Sequence, residues 1–174
     1  EGGIQVGGHV VVLGGGNTAM DCARSALRCG ADKVTVAYRR THSEMPAIRE
    51  EIEQAIEEGV VLLEQRQPLA FGGTAGKVSS IQLAEVEMGP PDDSGRRRPV
   101  VTDRVADFDC DHVLLALGQG ADTDFLPDGW ELRGERIFCG EEALMVFAAG
   151  DLATGDGTVT HAIGSGRRVA ELAL

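Results

Sequence analysis

One stretch constrains the fold of this chain more than any other: HVVVLGGGNTAMDCARSALRCGADKVTVAYRR, residues 9–40. His9 to Leu13 is a short β-branched apolar run of the kind buried in parallel sheets. Gly14, Gly15 and Gly16 force a tight turn, and a helix is expected from Asn17 through Cys29, with Gly30 as its stop. Val34, Val36 and Tyr38 then continue into a second strand. A strand, a glycine turn, a helix and a second strand in this order imply a parallel sheet with right-handed crossovers.

The pattern continues. From Pro46 to Glu58, apolar residues at Ile48, Ile52, Ala55 and Ile56 predict one helical face, closed by Gly59, and Val60 to Leu63 predicts a third strand. Lys77 to Met88 and Val100 to Cys110 read as antiparallel strands joined by the turn-rich GPPDDSGRRRP. His112 to Leu117 returns to the buried parallel kind. A hairpin is expected from Trp130 to Cys139, another buried strand from Leu144 to Ala149, and a last helix from about Thr158 to the end. The fold class expected is therefore α/β: a Rossmann-like parallel sheet with an antiparallel β-meander.

Gly14-x-Gly16-x-x-Ala19 is a dinucleotide fingerprint in its confirming context, after a strand and opening a helix. Gly14 permits the turn, Gly15 lies within it, Gly16 lets a pyrophosphate approach the backbone, and Ala19 allows close helix–strand packing. The N–H groups around Asn17 and Thr18 then face the pyrophosphate with the positive end of the helix dipole. At the end of the second strand, where NAD-binding domains carry an acidic residue, stand Arg39 and Arg40, about 25 residues after Gly14. A carboxylate there repels a 2′-phosphate, whereas guanidinium groups bind it with charge-assisted hydrogen bonds. Arginines also serve as plain solvated strand ends; taken with the fingerprint, the pair points to NADPH rather than NADH.

A second element stands near the end, FAAGDLATGDGTVTHAIGSGRRVAEL. Asp151, at a strand end after Gly150, can hydrogen-bond a ribityl or ribose hydroxyl, and the N–H groups of Thr158, Val159 and Thr160 can face a flavin pyrimidine or a phosphate. An isolated Gly-Asp pair also reads as an ordinary strand–loop–helix connection with an aspartate cap.

The net charge of −12 leaves no excess of cations for general nucleic-acid binding. The Arg96-Arg97-Arg98 triplet, set between acidic residues, reads as a solvated turn. The apolar runs are far too short to cross a bilayer. Four widely spaced cysteines form no CxxC, so they read as thiols of a reducing cytoplasm rather than as cluster ligands or a redox pair. His42 and His161 are expected in surface or capping roles, and Asp21 either orients the glycine loop or favours the helix dipole. No catalytic acid, base or nucleophile and no metal-ligand spacing is legible.

The segments GGGNTAMD, VAYRRTHSEMPA, EEGV, DHVLLALGQ and AAGDLATGDGTVTHAIGSGRR together resemble the NADPH-dependent small (β) subunit of glutamate synthase and its relatives. These are FAD- and NADPH-dependent, iron–sulfur-linked oxidoreductases that share segments with dihydropyrimidine dehydrogenase. The resemblance runs from about Gly8 to Leu174. It implies a linker at residues 1–8, an NADPH-binding domain at 9–120, and at 121–174 the C-terminal segment of an FAD-binding domain. Gly150 and Asp151 match the family's flavin-contacting pair, Thr158 to Ala162 the helix start near the isoalloxazine, and Leu117 and Gly118 a segment passing close to the nicotinamide. The family's upstream FAD-binding glycine loop and cysteine-rich iron–sulfur module have no counterpart here. The chain thus reads as an excised fragment, inactive alone and prone to pair as a homodimer through exposed apolar surface. In the intact protein, hydride would pass from NADPH to FAD and electrons onward to iron–sulfur centres and a partner such as the glutamate synthase large subunit. The rival readings are a stand-alone NADP(H)-binding sensor or scaffold, and part of a flavoprotein disulfide reductase.

Overall fold

The alternation along one strand explains how the first 118 residues layer. In this computed structural model, which describes residues 4–91, 97–118, 120–155 and 157–174, strand β1 (His9–Leu13) is buried on both faces. Successive side chains of a strand point to opposite faces. Val10 and Val12 accordingly join a core with Ala19, Met20, Ala23, Val34, Val36 and Ile52, while Val11 and Leu13 join a second core with Ala37, Ile81, Leu83 and Cys110. The first core lies under helices α1 (Asn17–Arg28) and α2 (Arg49–Glu57), and the second under an antiparallel meander.

The parallel sheet has four strands in the order β3-β2-β1-β7, with β2 at Lys33–Ala37, β3 at Val61–Leu63 and β7 at His112–Leu115. The meander is β4 (Arg66–Thr74), β5 (Lys77–Pro91) and β6 (Arg97–Asp109), paired in that order. Helix α1 buries Ala19, Met20, Ala23 and Ala26, one stripe of small residues plus a methionine, which lets it lie close on the sheet. Gly30, at φ +94°, ends it as the sequence predicts. Arg24 of α1 pairs with Glu51 and Glu58, one at each end of α2, tying the two helices together.

Residues 119–174 form a second compact unit. Its three-stranded antiparallel sheet runs β10-β9-β8, with β8 at Trp130–Arg133, β9 at Arg136–Cys139 and β10 at Glu142–Phe147. A four-residue helix α3 (Asp151–Thr154) and a longer α4 (Val159–Leu172) follow. The mixed fold, a parallel sheet with antiparallel sheets, is the class expected from the sequence.

Four expectations are corrected. Helix α2 starts at Arg49 rather than Pro46, and Ile48 and Ile56 are 55% and 49% exposed rather than on its buried face. The reason is tertiary: the amide of Ala47 donates to the Gly15 carbonyl (3.1 Å) and that of Ile48 to Asn17 Oδ1 (2.8 Å), so the segment before the helix is drawn onto the glycine turn. Strands β7 and β10, each at an edge of its sheet, are not buried on both faces: Leu115 is 67% and Met145 71% exposed. The expected meander gains a third strand, β4. Of the arginine triplet, Arg97 and Arg98 open β6 instead of a solvated turn, with Arg97 opposite Pro91 in the ladder to β5 and paired with Glu44; Arg96 lies outside the described residues, as do residues 92–95.

Candidate nucleotide-binding site

The three consecutive glycines do three different jobs. Gly14, at φ +142°, leaves β1 between its neighbours, and a Cβ there would stand 2.1 Å from the Ala116 carbonyl oxygen. At Gly15 a Cβ would meet the Tyr38 ring at 2.6 Å. At Gly16 it would meet nothing within 4 Å: the space in front of this residue is open. Gly16 is also the N-cap of α1, with no side chain to bond the first amides, so the helix start and its dipole are directed at whatever fills that space. Ala19, fully buried, seats the helix on the sheet.

That space belongs to a cleft of about 400 Å³, lined by the glycine turn, Thr18, Arg39, Arg40, Ala116, Leu117 and Gly118 among others. The structure thus brings the fingerprint, the arginine pair and the Leu117–Gly118 segment into one cavity. Asn17, between Gly16 and Thr18, does not line it: its side-chain oxygen accepts from the Ile48 amide. His42 is turned away from a ligand role: its backbone N–H and its ring both meet the Glu64 carboxylate, at 2.9 and 3.1 Å. Asp21 is exposed in the second turn of α1.

Sequence reasoning missed Arg66, which lines the same cleft. It lies 26 positions from Arg40 and reaches it through an uncommon backbone turn. Gln65 has φ +52°, a left-handed conformation disfavoured for a residue with a Cβ. It is held there by its N–H donating to Arg40 O (3.1 Å), its carbonyl accepting from Val86 (2.9 Å) and its side-chain amide donating to Val86 O (3.0 Å). The Arg66 amide then donates to Tyr38 O (2.9 Å), which sets a third arginine on the cleft that Arg39 and Arg40 line. Its charge is shared with Glu85, which also pairs with Arg104. The sequence signal was an arginine three residues after the end of the third strand.

In the second unit the Gly150–Asp151 element closes on itself. Gly150 has φ +66°, and Asp151 Oδ1 accepts from the Gly157 amide at 3.2 Å. Thr158 caps α4, its hydroxyl accepting from the His161 amide, which leaves the amides of Val159 and Thr160 at an exposed helix start. A Cβ on Gly150 would sit 3.6 Å from the Ala162 methyl, so this loop packs directly on α4. Behind it, fully buried Ser165 accepts from the Gly150 amide (3.1 Å) and donates to Glu135 (2.6 Å). Arg168 completes the set at 2.8 Å from Glu135. The Arg168 guanidinium, then the Ser165 hydroxyl, hold the Glu135 carboxyl below its ordinary range.

Ser165→Ala is expected to lower stability by about 1–3 kcal/mol, because it strands the Gly150 N–H and removes one of the donors to Glu135 Oε1, which keeps Arg168. A thermal melt checks this, and an unchanged midpoint would show that the loop is held some other way. Glu135 itself, with a folded value below its unfolded one, stabilises the fold at neutral pH. That contribution is lost as pH falls below the usual 4.5 and through the folded value.

The glycine turn opening α1, the parallel sheet and the meander on its opposite face define a Rossmann-like α/β protein. The chain belongs to the pyridine nucleotide-disulphide oxidoreductase family, whose model matches residues 4–166. It is 43% identical over 169 residues to the β subunit of an NADP(+)-dependent formate dehydrogenase of Moorella thermoacetica, covering 92% of this chain and 24% of that one. It is 40% identical over 177 residues to the small chain of the NADPH glutamate synthase of Halomonas elongata, covering 95% and 37%. This chain therefore spans well under half the length of these relatives. Among solved structures, it is similar in fold to Mycobacterium tuberculosis FprA in complex with NADPH, with a TM-score of 0.76 at 19% identity over 96% of this chain and 52% of that one. The thioredoxin reductase of Lactococcus lactis gives 0.72 at 21% identity, over 97% and 52%. No described helix is long and apolar enough to cross a membrane.

Proposed function

We propose that this chain is the NADPH-binding part of a flavin-dependent oxidoreductase. The carrying observation is the convergence in one cleft of an open Gly16, the start of α1 and the guanidinium groups of Arg39, Arg40 and Arg66. Such a cleft suits a dinucleotide with an extra phosphate. The pyrophosphate lies on the glycine turn and the helix amides, the 2′-phosphate among the arginines, and the nicotinamide runs toward Leu117 and Gly118.

The same reading gives the second unit a flavin contact. Gly150, Asp151 and the helix start from Thr158 through Val159, Thr160 and Ala162 would meet the ribityl and isoalloxazine portions of FAD. The local geometry suits this: the loop is pinned from behind by Ser165 and Glu135, and the Asp151 carboxylate is exposed. The rest of the flavin is held by other parts of the intact protein. When bound, the flavin supplies two-electron acceptance from the nicotinamide. In this reading the chain's residues bind and orient the two cofactors. The likeness to a glutamate synthase small chain supports a partner subunit as the onward electron acceptor; transfer through iron–sulfur centres is part of this proposal. The formate dehydrogenase likeness supports a partner of the same general kind with a different substrate.

Calorimetric titration of the chain with NADPH and with NADH tests the nucleotide reading. NADPH is expected to bind at least about tenfold tighter, the worth of one charge-assisted hydrogen bond. Equal affinities would remove the case for the phosphate.

A further inference from the structure

The loop that carries the arginine pair also carries a carboxylate. Glu44 lies four residues after Arg40, with its side chain 23% exposed, and a negative charge in this loop is what a 2′-phosphate tolerates least. The structure answers it from a distant strand. Arg97 of β6 donates from Nε to Glu44 Oε1 at 3.2 Å and from Nη2 to Oε2 at 2.9 Å, a two-pronged pair across 53 positions of sequence. Neither side chain lines the cleft.

The pair also governs the shape of the loop. Glu44 Oε2 accepts from the Thr41 hydroxyl (2.7 Å) and the Thr41 amide (3.3 Å), forming a capping box on the short 3-10 turn at His42–Glu44. The Glu44 carbonyl accepts from the Tyr38 hydroxyl (3.1 Å), and the Tyr38 ring is the surface against which Gly15 fits. The Arg97 carbonyl accepts from Arg40 Nε (3.3 Å), leaving the two terminal nitrogens of Arg40 to point elsewhere. One ion pair is thus continuous with the glycine turn at one end and with Arg40 at the other.

We propose that Glu44 and Arg97 are positioning residues for 2′-phosphate selectivity: Arg97 neutralises and anchors a carboxylate that would otherwise oppose Arg39 and Arg40. This rests on the NADPH reading above and extends it to two residues outside the cleft. The Thr41 hydroxyl and the Arg97 guanidinium hold the Glu44 carboxyl below its ordinary range, so the carboxylate is charged at neutral pH. Losing Arg97 should therefore harm NADPH and spare NADH, and removing the Glu44 charge as well should repair most of the harm. A role confined to holding the fold would affect both nucleotides alike and would be worsened by a second substitution.

The test is a titration of the intact chain and its variants with NADPH and with NADH, each variant first shown folded by its circular-dichroism melt. Arg97→Gln should weaken NADPH about fivefold, the upper range for a partly exposed ion pair, and NADH less than about twofold. Glu44→Gln combined with Arg97→Gln should return the NADPH-to-NADH ratio to within about twofold of wild type. Arg97→Lys, which keeps the charge, should hold the ratio nearly unchanged, and it decides the matter should Arg97→Gln not fold. An unchanged ratio in Arg97→Gln, a double variant no better than the single one, or a lysine variant as impaired as the glutamine one would each overturn the inference. A wild type with no preference for NADPH would overturn the parent reading, and that result is visible before any variant is made.

Discussion

Gly16→Val is expected to weaken binding of both NADPH and NADH roughly 100-fold or more while leaving the fold intact. The valine side chain would fill the open space before the helix start and keep a pyrophosphate from the amides there. Each such charge-assisted hydrogen bond is worth about 1.5–3 kcal/mol, so losing two accounts for the size of the effect. The fold should survive because a Cβ at Gly16 meets no atom within 4 Å and its φ of −89° with ψ 177° is an extended conformation that a β-branched residue favours. The neighbouring glycines are the contrast: at Gly14 the carbonyl of Ala116, and at Gly15 the ring of Tyr38, already occupy the place of a Cβ. Titration calorimetry beside a circular-dichroism melt separates the two effects. Wild-type affinity in a folded Gly16→Val protein would mean that the glycine turn is structural only.

The double variant Arg39→Ala with Arg40→Ala is expected to cost NADPH on the order of 2–4 kcal/mol, about 30- to 1000-fold in affinity, with NADH nearly unchanged. Arg66 remains in the cleft in this variant, so the loss should fall toward the lower end and some preference for NADPH should persist. The same titrations check it. Equal losses for the two nucleotides would assign the arginines to the fold or to general charge rather than to the 2′-phosphate.

What the residues alone determined about this protein is the part in which cause and effect lie within a few positions of each other. The β-branched run at His9–Leu13, the turn at Gly14–Gly16, the small residue at Ala19 and the stop at Gly30 obey local rules of backbone freedom and side-chain size, and β1, α1 and β2 follow from them. The meander was legible as two strands because β5 and β6 are long runs, 15 and 13 residues, rich in β-branched and apolar residues on either side of a turn-rich segment. Its third strand was not, because β4 contains Pro68, Gly72 and Gly73 and takes its order from the ladder to β5 rather than from its own propensity. The burial of β7 and β10 was overestimated for a related reason. An apolar run carries no mark of whether another element covers each of its two faces, and that packing leaves Leu115 and Met145 exposed. Within the cleft, the glycines and the arginine pair belong to one βαβ unit and could be read from spacing. Arg66 and the Glu44–Arg97 pair could not. Their places depend on a left-handed Gln65, on hydrogen bonds to Tyr38 and Arg40, and on a strand more than fifty residues away. Those contacts exist only once the parallel sheet and the meander have packed together, since it is burial of the Val11, Leu13, Ile81 and Leu83 face that brings β6 and the arginine loop within reach of each other.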